Sequence, residues 1–584
     1  MTAQEQPTNQ FKVEVDGSPL GDDVAATMLS AVVETSINLP DAFMLTFRDQ
    51  NRDVLERGNL KVGAVVIIRV FSAEHTGGAK VVEGEITAVE MEVETQGTFT
   101  IVRGFDRTHR LHRRRTTTAH RDMSYSDVAR KLAGDAGLNI GTIDSTRQIR
   151  KHIAQINSTD WALLKSLAGE VGYDVGIVDG KFNFRKPPKA SNGPAGGTTS
   201  STDPLQLSVG VNLIRCRATI SAADQVKTVE VRGWNPETKE SLVGEKSAGT
   251  VSVQNGSSAD QLADLFASER RVSVDVPYSN QSEVDAAAAS LAECVASTFA
   301  ELEGVTRGDP RLRAGASVSL GLAKPPFDGK YVLTTARHTW VPDEGYLVTF
   351  EASGSRDRSI HGLISGSGDD APSRRGLMGG VTIGVVTDVQ DPDNRFRVKL
   401  KFPWLDDNYE SDWARTAHSG AGAKRGWLVL PEVGDEVLVA FQHGDLGRPF
   451  VIGGLYNGVD EPGSPATEQL FDGTAGKVNR RTFVSRLGHR LVFVDDSNGP
   501  AVEFGSEGEM AVSAEKAITV TSSKNGIKVE AKQDVTITST SGDVKISGKN
   551  VEIEGTKVSV SGSAGVTIDG GPDASIKGSV VNIN

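Results

Sequence analysis

The tract that most limits the fold of this chain is residues 511–584, where pairs of apolar residues spaced two apart recur about every eight positions. The pairs are Ile518/Val520, Ile527/Val529, Val535/Ile537, Val544/Ile546, Val551/Ile553, Val558/Val560, Val566/Ile568, Ala574/Ile576 and Val581/Ile583. Gly526, Gly542, Gly548, Gly555, Gly562, Gly565 and Gly578 stand in the gaps among Ser, Thr, Asp, Asn and Lys. A period of two sets both members of a pair on one face of a strand, and the polar gaps read as turns. One such unit cannot bury its apolar face alone, so repetition at a fixed period means a stacked β-architecture. It reads as a rod.

Two packings satisfy that rule. Three chains wound about a common axis bring three apolar faces together, and a homotrimeric needle results. Alternatively a single chain coils as a solenoid, using three repeats for its three faces. Periodicity alone is compatible with both. In either case burial of each β-branched side chain is worth about 1.5–3 kcal/mol before chain entropy is subtracted.

The remainder of the 584 residues has room for roughly three further domains at about 150 residues each. Glycine is abundant (63) and aromatics are few (6%), which suits short strands and turns better than helical bundles. The net charge of −13 argues against nucleic acid or an anionic membrane surface as the main partner. Two cysteines, Cys216 and Cys294, are too few for a disulfide framework, so folding in a reducing compartment is expected. The opening MTAQEQPTNQ lacks a basic-then-apolar signal, and no run of 18 apolar residues occurs. Synthesis and assembly in the cytoplasm is therefore the expectation.

Residues 11–105 alternate as strands (FKVEV, FMLTFRD, VVIIRVF, FTIVRGFD). Two helices follow: SYSDVARKLAGDAGL, with Ser124 as N-cap, and STDWALLKSLAGEVGYDV, with Trp161, Leu164 and Leu167 as its core stripe. KPPKASNGPAGGTTSSTDP (186–204) reads as a long exposed loop, strands resume, and SEVDAAAASLAECVASTFAEL supplies one more helix. SGSGDDAPSRRGLMGG (365–380) is a linker by composition.

Residues 384–458 carry six motifs in one order: DPD (391–393), RVKLKFPW (397–404), SDWAR (411–415), PEVGDEVLVAF (431–441), GDLGRP (444–449) and GGLYNG (453–458). This block resembles the OB-type barrel of the VgrG and phage baseplate spike family. QINSTDWALLKSLAGEVGYDV (155–175), VEVRGWNPETKE (229–240), LRAGASVSLG (312–321) and FDGKYVLTTARHTW (327–340) are similar to the hub of those spikes, and the repeats to their triple-stranded β-helix. The resemblance implies a mainly β fold in the order hub, barrel, needle. The hub would span 1–364 with two barrel-like modules and a few helices, then a linker (365–380), an OB-fold barrel (381–460), a connector (461–510) and the needle (511–584). It further implies a homotrimer, most like the spike of a phage-tail-like contractile injection system. Inner-tube and baseplate proteins would meet its N-terminal region, and a separate PAAR-type tip protein would cap its end. No lysozyme-like insertion stands between barrel and needle, and the stop at Asn584 leads to the expectation of that separate tip. The needle core would consist of the pairs above, and tip binding would fall to Ile576, Val581, Ile583 and Asn584.

Chemistry-bearing motifs are sparse. No G-x-S-x-G, H-E-x-x-H, C-x-x-C or Walker A pattern occurs, and no cofactor or enzyme activity is expected. His109, His112 and His120 lie close together, but in a run with six arginines that would repel a cation. The longer stretch from Arg103 to Arg121 reads as a solvated or intersubunit strand paired to acidic neighbours, with nucleic-acid binding as the alternative. Gly420, Gly422 and Gly426 beside two cations look superficially like a phosphate loop, and Trp404, Trp413 and Trp427 like base-stacking platforms. A loop between strands and core or interface aromatics are the favoured readings. The alternative for the whole chain is a tailspike-like β-helix that binds or cleaves polysaccharide.

Overall fold

The computed structural model describes residues 10–71, 75–274, 276–322, 325–354, 379–463, 470–472, 476–496 and 499–583. All but the last two residues of the expected linker, 365–380, and Asn584 fall outside them. The chain divides into two compact units, Met1–Pro462 and Gly463–Asn584.

The first unit is built on an antiparallel sheet of 11 strands. Alternation sets its inner face: in Val65–Phe71, Val66, Ile68 and Val70 are buried at 0–1% exposure, while their neighbours lie between. The two strand sets expected of the hub are joined in this one sheet, because Met28–Ser36 pairs with Thr335–Val341 (Val33 opposite His338). Their cores merge into one, running from Phe11 and Phe47 to Phe299 and Phe350.

A second core collects around the helices. Tyr125–Asp135 starts at a capping box: the Ser124 hydroxyl accepts from the Asp127 N–H, and the Asp127 carboxylate accepts from the Ser124 N–H. Asp160–Val171 is capped by Thr159 and ends at Gly172, whose φ of 66° few other residues tolerate. Trp161, Leu164 and Leu167 are buried with Phe182 and Phe184 of an adjoining three-stranded sheet. Helix Gln281–Ala296 lies on the hairpin Thr228–Asn235/Glu240–Ser247. It comes so close that a Cβ on Gly244 would stand 2.5 Å from the Val284 backbone. The loop at 186–204 is less exposed than its composition implies. Ala190, Gly193 and Pro194 are buried, and Lys330 Nζ donates to the carbonyls of Ser191 and Gly193.

The barrel sheet has five strands, in the order Lys399–Lys401, Val381–Asp388, Glu436–Phe441, Pro449–Gly454 and Arg415–Thr416. Val386, Val398, Leu400, Phe402, Val437 and Val439 fill it at 0–1% exposure. Pro449 opens its strand, where a missing N–H breaks no ladder.

The second unit begins with the antiparallel strands Arg480–Val484, Arg490–Val494 and Ala501–Gly505. Beyond them, none of the described residues 506–583 joins a strand ladder. The repeats run as an extended chain with regular corners. Four residues after the first member of the first eight pairs stands a small residue: Ser522, Ala531, Ser539, Gly548, Gly555, Gly562, Gly570 or Gly578. At Gly548, Gly555 and Gly578 a Cβ would sit 3.2–3.5 Å from the carbonyl two residues on. Repeats of seven, eight and nine residues differ only in how many residues follow that corner. Met510/Val512, with Ala514 at the corner, fits the same frame one repeat earlier.

Candidate functional site

The residues expected to form the needle core are not a core within one chain. The first members of the pairs, Ile518, Ile527, Val535, Val544, Val551, Val558, Val566 and Val581, are 49–57% exposed. The second members, Val520, Val529, Ile537, Ile546, Ile553, Val560, Ile568, Ile576 and Ile583, are 71–87% exposed. Taken alone, one chain leaves all of these positions exposed. The physical reason is geometric: each repeat contributes one extended segment, and the described chain places no second layer over it. The narrow spread means that no repeat covers another. An extended backbone without a ladder also leaves its N–H and C=O groups open to pairing. Of the residues expected to hold a tip protein, Ile576, Val581 and Ile583 are thus exposed, and Asn584 lies outside the described residues.

In the barrel, the DPD motif is explained by one carboxylate. Asp391 accepts from the N–H groups of Asp393 (3.1 Å) and Arg395 (3.0 Å), and from Arg397 Nε (2.8 Å) and Nη2 (2.6 Å). This clamp holds the turn through Asn394 and Phe396, both at positive φ. The Arg397 guanidinium keeps the Asp391 carboxyl far below the usual range. In SDWAR, the Ser411 hydroxyl accepts from the Leu400 N–H (3.0 Å) and donates to the Asp412 carbonyl (2.7 Å), closing the strand edge. Lys399 Nζ lies 5.1 Å from the centre of the Trp413 ring. Trp404 and Trp427 are 47% and 60% exposed, so they are not core residues of this chain. The glycine-rich loop folds back on itself, with Arg425 Nη1 donating to the Gly420 carbonyl.

The basic run is held by acids of its own chain. Arg103 meets Glu90 at 3.1 Å, Arg107 stands 3.7 Å from Glu85, Arg110 bonds Glu85, and Arg121 reaches Glu410 at 3.0 Å. Burial opposes a charge on Glu85, yet the bonds from Arg110 and His109 outweigh it and hold its carboxyl below the ordinary value. The three histidines go to three places. His109 bonds Glu85 (3.0 Å), His112 stacks on Trp161 (5.0 Å between centres), and His120 bonds Gln155 (3.2 Å).

The run leads into a feature that sequence reasoning missed, a two-stranded ribbon of Arg115–Met123 and Arg150–Thr159. Its neighbouring residues serve different cores: Ile153 packs with the helices, whereas Ala154 packs with the barrel. Glu283, 4% exposed, adds a polar joint. It bonds Arg150 of the ribbon, stands 3.8 Å from Arg448 of the barrel, and accepts from the Ser279 N–H (2.9 Å).

Comparison with known proteins agrees with this arrangement. Residues 5–341 match the family described as the Alg8 N-terminal domain, and 382–456 match the type VI secretion system/phage-baseplate injector OB domain. The chain belongs to the VgrG/phage baseplate spike family. Among curated relatives, the type VI secretion system spike protein VgrG3 of Vibrio cholerae is 41% identical over 71 residues, 11% of this chain and 7% of that one. The actin cross-linking toxin VgrG1 of the same species is 36% identical over 76 residues, 12% and 7% of the two chains. The matched segments thus span less than a tenth of these relatives. In fold, the chain is similar to the Francisella PdpA–VgrG complex in its lidded form, with a TM-score of 0.51 at 9% identity, covering 86% of this chain and 80% of that one. Among the described residues, no helix is long and apolar enough to cross a membrane.

Proposed function

We propose that this chain is the spike of a contractile injection system of the phage-tail-like kind. It works as a homotrimer at the baseplate centre, where three repeat tracts wind into one needle driven through a target envelope. The observation that carries this reading is the exposure of every apolar pair together with the absence of a ladder among described residues 506–583. A single-chain solenoid would cover those faces with its own coils. Faces exposed in one chain and repeated without interruption favour two further copies as their cover. A needle of this kind resists axial load because bending it breaks main-chain ladders.

The role is mechanical rather than enzymatic, and no cofactor enters it. The hub region faces the inner tube and baseplate, and a PAAR-type tip protein sits on the last repeats, where Ile583 is the most exposed pair member. Particles assemble in the cytoplasm, and the envelope is met only by puncture. Electron microscopy of the full chain tests the architecture. Nine repeats rising one strand spacing each give a rod about 40 Å long, whereas a solenoid using three repeats per coil gives about 14 Å. Deleting 572–584 should abolish capture of a PAAR-type protein while the trimer persists, and undiminished capture would defeat the tip assignment.

A further inference from the structure

The outward side of the repeats carries a pattern that the apolar pairs do not explain. In each repeat the residue between the pair members and the residue after the second share one parity, opposite to the apolar face. All of them that are described are exposed. The first position is charged only at Lys528, Lys545 and Glu552; the second only at Glu530, Glu554, Asp569 and Lys577. Within one chain, Lys528 bonds Glu530 of its own repeat, and Lys545 lies 3.5 Å from Asp543 at the end of the repeat before.

Topology decides which repeats become neighbours. In a three-chain needle each copy moves on by one face and one level per repeat. A given face therefore stacks repeat n of one copy, n+1 of the next and n+2 of the third, at about 4.8 Å per level. In a single-chain solenoid with three repeats per coil, the neighbour of repeat n is repeat n+3 of the same chain. Opposite charges placed directly across a ladder stabilise it and like charges destabilise it. An offset of three pairs Lys528 with Glu552 and Glu554 with Lys577, but sets Glu530 against Glu554. An offset of two sets Lys528 against Lys545 and Glu554 against Asp569. An offset of one sets Lys545 against Glu552 and Asp569 against Lys577, with no like pair at all.

We propose that two interchain ion pairs, Lys545 with Glu552 of the neighbouring copy and Asp569 with Lys577 of the neighbouring copy, set the axial register of the needle. The partner surface is thus a second copy of this chain, displaced by one repeat. This rests on the trimeric reading above, and the test separates the two. The full chain is treated with a zero-length carbodiimide, and covalent species on a denaturing gel are mapped by peptide mass spectrometry, beside light scattering of the untreated protein. Support is a trimeric mass with 545–552 and 569–577 links found in covalent dimers and trimers. A trimeric mass with links only at 528–552 or 554–577, or with none between copies, overturns the register and leaves the trimer standing. A monomeric mass means that the trimeric reading itself fails. As a second readout, Lys545→Glu should lower the needle's melting temperature and adding Glu552→Lys should restore it. An unchanged melting temperature for Lys545→Glu also overturns the proposal.

Discussion

Replacing Asp391 with alanine should unclamp the barrel, and the cost follows from its contacts. The carboxylate is 2% exposed and receives three backbone N–H bonds and a two-pronged bond from the Arg397 guanidinium. Its loss leaves Arg397, 19% exposed, with Asp393 at 2.7 Å as a remaining partner. Breaking a buried pair from one side costs about 3–5 kcal/mol, and the surviving Asp393 contact places this case near the lower end, at about 3 kcal/mol. Asp391→Asn keeps an acceptor for the backbone and should lose about 2 kcal/mol, the share of the charged bonds. Denaturant titration of the hub and barrel, followed by tryptophan fluorescence, reads both, since Trp404, Trp413 and Trp427 report on the barrel. The pH dependence adds a sign. The folded pKa is depressed, so the stabilisation is present above the unfolded value of about 4 and is lost as pH falls below it. The gap between wild type and Asp391→Asn should therefore narrow in acid. A loss under about 0.5 kcal/mol for Asp391→Ala, typical of a neutral surface change, would refute the clamp.

Other outcomes follow from the same reasoning. His338 is fully buried, bonds the Tyr346 hydroxyl at 2.6 Å, and has its pKa pushed down to about 4 by burial. Because the unfolded chain binds the proton more readily, stability should fall by about 3 kcal/mol between pH 6.5 and 4, and His338→Phe should flatten that slope in pH-dependent unfolding. Glu283→Gln removes the buried carboxylate that Arg150 bonds and Arg448 approaches at the joint between hub and barrel, and should cost about 3 kcal/mol and raise hydrogen exchange around residues 444–448. Val551→Ser should destabilise the needle by about 1 kcal/mol in each copy, whereas Ser559→Ala should be neutral; equal effects in thermal melts would mean that the pairs face solvent.

Legibility varied with sequence distance. Local signals read well: Ser124 as a cap and the Trp161/Leu164/Leu167 stripe, because each depends on neighbours a few residues away. The repeats were legible because each is its own measurement of period. Their burial was not, since a pair such as Ile553 or Ile568 marks an apolar face without saying which chain covers it. What sequence reasoning missed lies far apart along the chain. Nothing in Met28–Ser36 announces Thr335–Val341 as its partner, since both are ordinary alternating strands. Ala154 carries too little apolar surface to signal that it closes a barrel built from residues 381–454, and Ile153 beside it gives no sign of facing another core. The corner at the fourth position was hidden by its mixture of Gly, Ala and Ser, and showed itself once backbone distances fixed the turn. The arginine run was readable as acid-paired, but its partners, Glu85, Glu90 and Glu410, required the fold.

The central claim is that three repeat tracts complete one another. Absolute mass by light scattering, on the full chain and on a truncation ending near residue 480, tests it most directly. A full-length mass three times the 62.0 kDa of one chain, persisting in mild detergent and weakened or lost in the truncation, is the result predicted. A monomeric mass at both lengths would contradict it, leaving the exposed pairs without the partners that their pattern demands.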